Sequence, residues 1–297
     1  MLNPLEKGLP LMAVRLTRPG KHTLIVESPL LPMAGTIGFG DEYAGLLNLN
    51  AFGALVTNPV TTAPRSPANG ARVIPLAAGM LMHTGLPNPG LRVVLSDMAE
   101  VWARLALPVI VHFVPVSLED LRRALGRLDE ADHVAAVEIG LNDDIPQADA
   151  VMLTREAGKT EKPALIRLPF GAPMAMVRAV ADAGADALVL SAPPRGTARD
   201  AAGHLVSGRI YGPMNKPLAL RHVGQAAQLS NAPVIAAGGI HTPDDARDFL
   251  EAGAVAVQID SLVWVQPDCV PAIAEALAGP IAPAAQPSDP ADGWPPG

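Results

Sequence analysis

The 297-residue chain carries 22 basic and 29 acidic residues, a net charge of −7, with no lysine or arginine block, which excludes a phosphate-backbone surface for nucleic acid. A single cysteine, Cys269, excludes an intrachain disulfide framework and a zinc knuckle and suits the cytoplasm, while no run of about eighteen apolar residues offers a membrane span. Aromatics make up 3%, so the core falls to Val, Leu, Ile, Ala and Met, as in buried strands flanked by alanine-rich helices.

In chain order, residues 1–21 mix proline with scattered charge, so no export signal is expected. Residues 15–30, "RLTRPGKHTLIVESPL", read as a small hairpin. Strands are expected at 30–34 and 54–58, then an insertion at 59–107 too long for a plain connection and suited to covering a site. Further strands follow at 108–114, 134–139, 164–169, 187–191, 233–239 and 254–260. Helices fall between them, among them 117–131, capped by Ser117, and 242–253, with Thr242 before a proline and Gly253 as its stop.

The strands are continuous apolar runs and not alternating ones, the mark of parallel strands covered on both faces. Eight β/α units in about 250 residues predict a (β/α)8 barrel with its site at the C-terminal strand ends. An open doubly wound sheet would need two polar edge strands, and none stands out. The expected organisation is one barrel domain over 1–279, its bottom plugged by the N-terminal hairpin, and a loose Pro/Ala/Asp/Gly-rich tail at 280–297 in which Trp294 is the one candidate anchor.

"AAGGIHTPDDA" at 236–246 places Gly238 and Gly239 at a strand end before a helix start, the geometry of an anion nest, although such turns also need glycine for conformational reasons alone. Neither GxGxxG nor GxxxxGK[ST] occurs. Arg167 lies inside the apolar strand "ALIRLP", where a charge has to be paired or turned to a pocket. His112 in "IVHFV" is a core histidine or a ligand contact, and Met82 and His83 sit on the covering insertion. Asp143 and Asp144 follow the fourth strand, as an acid/base pair or as a solvated loop start. His241 with Asp244 and Asp245 reads as helix-start chemistry, and Ser66, Ser191, Ser207 and Ser261 lack a nucleophile elbow.

The order of these segments resembles the dihydroorotate dehydrogenase family over about residues 20–275. "LLPMAGTIGFGDEY", "FGALVTNPVTTAPRSPANGARV", "TGLPNPG", "YGPMNKPLAL" and "PVIAAGGIHTPDDARDFLEAGAVAVQID" carry the resemblance. It implies a (β/α)8 barrel with flavin mononucleotide (FMN) across its top. In the matching positions, Asn58 stands for the family lysine after strand two, and Met82 for an asparagine. Gly140 stands for the asparagine and Asp143 for the cysteine of an "ELN.SCPN"-like motif, Arg167 for a lysine, Ser191 for an asparagine, and Asp260-Ser261 for the phosphate-cradling glycine and hydroxyl residue.

The resemblance therefore implies an FMN-dependent oxidoreductase acting on a small substrate other than dihydroorotate. Asp143 would be its base, and Arg167 the cation near reduced flavin or a substrate carboxylate. Ala34 and Gly35 would allow close approach to the ring, Gly238 and Gly239 would hold phosphate, and Asn58, Ser191, Gly212 and Ser261 complete the expected cofactor contacts. A carboxylate at Asp260 pointed at the phosphate would repel it unless the side chain turns away. Two other readings stand beside this one: a non-catalytic barrel subunit in a complex, and a cofactor-free lyase or isomerase acting on a phosphorylated substrate with Asp143 or His83 as base. An electron-transfer or complex partner and a homodimer are the expected associations.

Overall fold

The computed structural model describes residues 13–279 apart from 21, 22 and 44, so the segment 280–297 with Trp294 lies outside the described residues. The described strands are β1 (Val14–Arg15), β2 (Ile25–Val26), β3 (Leu30–Pro32), β4 (Leu55–Val56), β5 (Val73–Leu76), β6 (Gly79–Met82), β7 (Val109–Phe113), β8 (Val134–Gly140), β9 (Ala164–Arg167), β10 (Ala187–Leu190), β11 (Arg195–Arg199), β12 (Leu205–Tyr211), β13 (Val234–Ala237) and β14 (Ala256–Ile259).

The eight apolar runs form one sheet in the order β3-β14-β13-β10-β9-β8-β7-β4, with every pair parallel. Gly53 N donates to Leu30 O at 2.8 Å, drawing β4 to β3, and the sheet nearly closes into a (β/α)8 barrel. Strands β9, β10, β13 and β14 are buried at every residue, which is why they show no polar alternation. Helices between the strands use local stop and start signals. Ser117 accepts from Asp120 N at the head of Leu118–Asp129, and Thr242 with Asp245 forms a reciprocal capping box at the head of Pro243–Glu251.

Two apolar layers share the work. One lies between barrel and helices. The other fills the barrel, where Leu31, Val56, Ile110, Leu165, Val189 and Ile235 meet Leu16, Leu24 and Val26 of the antiparallel β1–β2 hairpin, so the hairpin plugs one end of the barrel. Among the described residues no helix is long and apolar enough to cross a membrane.

A four-stranded antiparallel sheet, β11-β12-β6-β5, covers the other end. The β5–β6 hairpin comes from the insertion at 59–107. The β11–β12 hairpin was not expected, because "RGTARDAAGHLVSGRIY" is rich in small and polar residues and reads as a loop. Its pairing to β6, Arg209 opposite Met82 and Ile210 opposite Leu81, is what makes it a strand. Glycine is needed at this seam: a Cβ on Gly79 would lie 2.0 Å from Tyr211 O, and one on Gly212 2.5 Å from Ala78 O.

Candidate active site at the barrel mouth

Two residues further along the strands from the apolar barrel layer, the interior becomes polar. Glu138 on β8 is fully buried. Its Oε1 accepts from His112 Nδ1 (2.7 Å) and Arg167 Nε (2.7 Å), and its Oε2 from Gln258 Nε2 (2.7 Å). Arg167 also donates to Gln258 Oε1. Four strands thus meet in one network, and every oxygen of the buried anion is satisfied. Burial opposes ionisation of Glu138, but Arg167 and His112 outweigh it and bring the carboxyl down to about 2. His112 moves the other way: desolvation lowers it, only partly offset by Glu138, so the imidazole is neutral near pH 7.

An ionised carboxylate can only accept, which makes His112 Nδ1 the donor and leaves Nε2 with the lone pair. Nε2 has no hydrogen-bond partner among the described residues and opens onto the pocket. Gly140 creates its space, since a Cβ there would fall 2.7 Å from Nε2.

Above this layer lies a pocket of about 840 Å³ walled by Ala34, His112, Gly140, Arg167, Arg209 and Tyr211 among others, with Met82 and His83 contributed by the lid. Asp143 and Asp144 line it too, and the Asp143 carboxylate is paired with cations. Its Oδ1 accepts from Arg209 Nη1 (2.6 Å) and its Oδ2 pairs with Arg195 Nε (2.9 Å), one arginine from each strand of the β11–β12 hairpin. The carboxylate is committed to clamping the lid. Asp143→Asn is expected to weaken lid closure by about 1–2 kcal/mol, seen as faster amide exchange across 195–211 with little change in the barrel.

The remaining expected contacts sit off the pocket wall. Gly35 packs over Pro59, a Cβ there meeting Pro59 Cδ at 3.5 Å. Asn58 Oδ1 is buried without a partner. Ser191 Oγ bonds His222 Nδ1 at 2.9 Å on the helix Lys216–Leu229, and Gly212 serves the lid seam.

At the expected phosphate end, Asp260 does not turn away. Its Oδ1 accepts from the backbone N–H and the hydroxyl of Ser261, and the carboxylate lies close to the Gly239 backbone. His241 Nε2 closes on Ser261 Oγ at 3.0 Å. Lys216, whose backbone packs against Gly239, spends its ammonium on Asp245 (2.5 Å) and Asp248 (2.6 Å). Burial pushes the Asp260 carboxyl up, against those hydrogen bonds, and its Oδ2 is buried without a partner.

Tyr211 lines the pocket, packed edge-on to Trp264 with ring centroids 5.3 Å apart. Burial and the charge of Asp260 push Tyr211 up to about 12, with Arg209 and Arg167 opposing. Gly238, Gly239, Asp260 and Ser261 do not border the pocket. The residues present therefore do not fit an FMN phosphate at Gly239, because the buried Asp260 carboxylate already holds the Ser261 amide and hydroxyl beside it.

Glu138, Gln258, Arg209 and Tyr211 are the site residues missed in the sequence. The criterion that singles out Arg167, a charge within a buried strand, applies equally to Glu138 in "VAAVEI", and the two together announce a pair.

The lidded polar mouth lies at the C-terminal strand ends of the (β/α)8 barrel. The dihydroorotate dehydrogenase family profile matches residues 22–143 and 196–280. The catalytic subunit of dihydroorotate dehydrogenase B (NAD(+)) of Pelobacter propionicus is 32% identical over 272 residues, covering 86% of this chain and 90% of the relative. That of Geobacter sulfurreducens is 34% identical over 271 residues, covering 84% and 88%. The crystal structure of the Eimeria tenella enzyme in complex with ferulenol shares the fold, with a TM-score of 0.74 at 18% identity, over 93% of this chain and 86% of that one. The chain belongs to the dihydroorotate dehydrogenase family, a family of oxidoreductases.

Proposed function

We propose that this chain is a divergent member of its family that acts on a small anionic substrate other than dihydroorotate, in the lidded pocket and without FMN seated along the strand ends. The observation that carries this reading is the buried Asp260 carboxylate, which takes the Ser261 amide and hydroxyl for itself beside Gly239. A flavin phosphate would have to displace a buried, hydrogen-bonded group. The same filled nest argues against a phosphorylated substrate there. The positions matching the family's substrate-binding asparagines are Met82 and Gly140, so the hydrogen-bond frame for a planar pyrimidine acid is missing, and each unmatched buried polar group costs about 1–3 kcal/mol. In this reading Arg167 is the residue that meets a substrate carboxylate, and Asp143 holds the lid.

The test is the visible spectrum of the untagged protein, mass analysis of any ligand released by heat, and titration with FMN and dihydroorotate. The expected result is a colourless protein with no FMN uptake and no dihydroorotate oxidation, while Asp260→Gly, which empties the nest, gains FMN affinity at least about tenfold. FMN bound near one per chain would overturn the reading and restore the oxidoreductase one. The relatives' designation as catalytic subunits supports assembly with a second chain, and native mass of the protein from its own cells separates such a complex from a homodimer.

A further inference from the structure

We infer that His112 is the general base of the pocket and that the substrate is a small 2-oxo acid, with its carboxylate or carbonyl oxygen on Arg167 and an adjacent C–H facing His112 Nε2. This deepens the flavin-free reading and rests on it. The argument starts from Glu138. It grips His112 Nδ1 and Arg167 Nε through one oxygen, each at 2.7 Å, so the two side chains are held side by side at the pocket floor. Each keeps one nitrogen open: His112 Nε2, and Arg167 Nη1, which has no hydrogen-bond partner among the described residues although Arg167 lines the pocket.

The arrangement is that of an oriented base. A carboxylate fixes the imidazole tautomer and stabilises the imidazolium formed on proton uptake. Gly140 supports the assignment independently, because any side chain there would collide with the imidazole edge, 2.7 Å from Nε2 and 2.9 Å from Cε1. Gly140 lies outside the left-handed region, so what glycine supplies here is room for the histidine. The lid completes the device by excluding water from the floor, where His112 is 5% and Arg167 6% exposed.

The step balances without a redox partner. His112 Nε2 takes a proton from the carbon next to the carbonyl. The C–H electron pair becomes the C=C bond of an enolate, and the carbonyl π pair moves to oxygen, where the Arg167 guanidinium holds the charge. Return of the proton to the same carbon gives exchange or epimerisation, and its delivery to a neighbouring atom of the substrate gives isomerisation.

The experiment is proton exchange by the full chain in D2O, with pyruvate and 2-oxobutyrate as probes and the C3 proton signals followed by NMR. The expected result is loss of signal at least about 100-fold faster than without protein, returning to near the protein-free rate in His112→Gln. Gly140→Ala, which leaves the Glu138–Arg167 pair in place, is expected to lose the same activity. Circular dichroism and thermal melting identify variants that fold. On wild-type protein, ¹⁵N spectra of labelled histidine are expected to show Nδ1 protonated and Nε2 bare for His112. The rate should hold near neutral pH and fall as the pH drops through a His112 titration that burial places below the ordinary histidine range. The groups around that titration are Glu138 and Arg167 on the neighbouring strands, with Asp143 and Asp144 beyond β8 and His83, Arg209 and Tyr211 from the lid on the pocket wall.

No exchange with either probe, exchange that survives His112→Gln in a folded variant, or a proton found on Nε2 would overturn the inference. A yellow, FMN-loaded protein would instead overturn the reading beneath it, and colour reports that separately from exchange.

Discussion

Replacing Glu138 with glutamine is expected to lower the free energy of unfolding at pH 7 by about 3–5 kcal/mol, because it leaves the Arg167 guanidinium buried without its counter-charge. The wild-type protein carries the complementary pH signature. The folded Glu138 carboxyl, at about 2, lies below its ordinary value of 4.5, so its contribution is fully present above pH 4.5 and is lost as the pH falls from there toward 2. The depression corresponds to about 3 kcal/mol. Denaturant unfolding of both proteins between pH 2 and 7 checks this: the gap between them should be widest at neutral pH and narrow through that window. A gap independent of pH would mean that glutamine costs packing and not charge.

Alanine at Gly79 is expected to open the lid. Gly79 has φ +154, and the new Cβ would sit 2.0 Å from Tyr211 O, a backbone atom that cannot swing aside. Strain and overpacking together cost about 3 kcal/mol or more, and they fall on the β6–β12 seam. Limited proteolysis should then cut within 73–82 or 195–211 in the variant while the barrel's own melting transition moves little. Because the lid shields the pocket floor, the same variant should also leave His112 exchanging protons with bulk water. If the variant's cleavage pattern matches that of the wild type, the two hairpins are not held by this contact.

The barrel was legible because its signals are local. Each buried parallel strand had to be a short apolar run, and caps such as Ser117 and Thr242 act within three residues of themselves. The N-terminal hairpin followed from a turn sequence between two apolar pairs. The β11–β12 hairpin was not legible, since strands rich in Gly, Thr, Ser and Arg become strands only when β6 supplies the partner edge.

At the site the limit is different in kind. That Arg167 needed a partner could be read from its strand, and that Asp260 threatened a phosphate could be read from its position in the family pattern. Which groups answered them could not. Glu138 is 120 residues from Gln258, and Asp143 is 66 from Arg209; no local period connects such pairs.

By itself the sequence determined the fold, the family and the strand ends where the chemistry gathers, since burial period and turn chemistry act over a few residues. Only the tertiary structure decided that Asp143 clamps a lid, that His112 shares a carboxylate with Arg167, and that Asp260 takes the Ser261 amide. Those outcomes depend on barrel closure and strand register, which set the direction of every side chain at the mouth, and direction determines which charges meet.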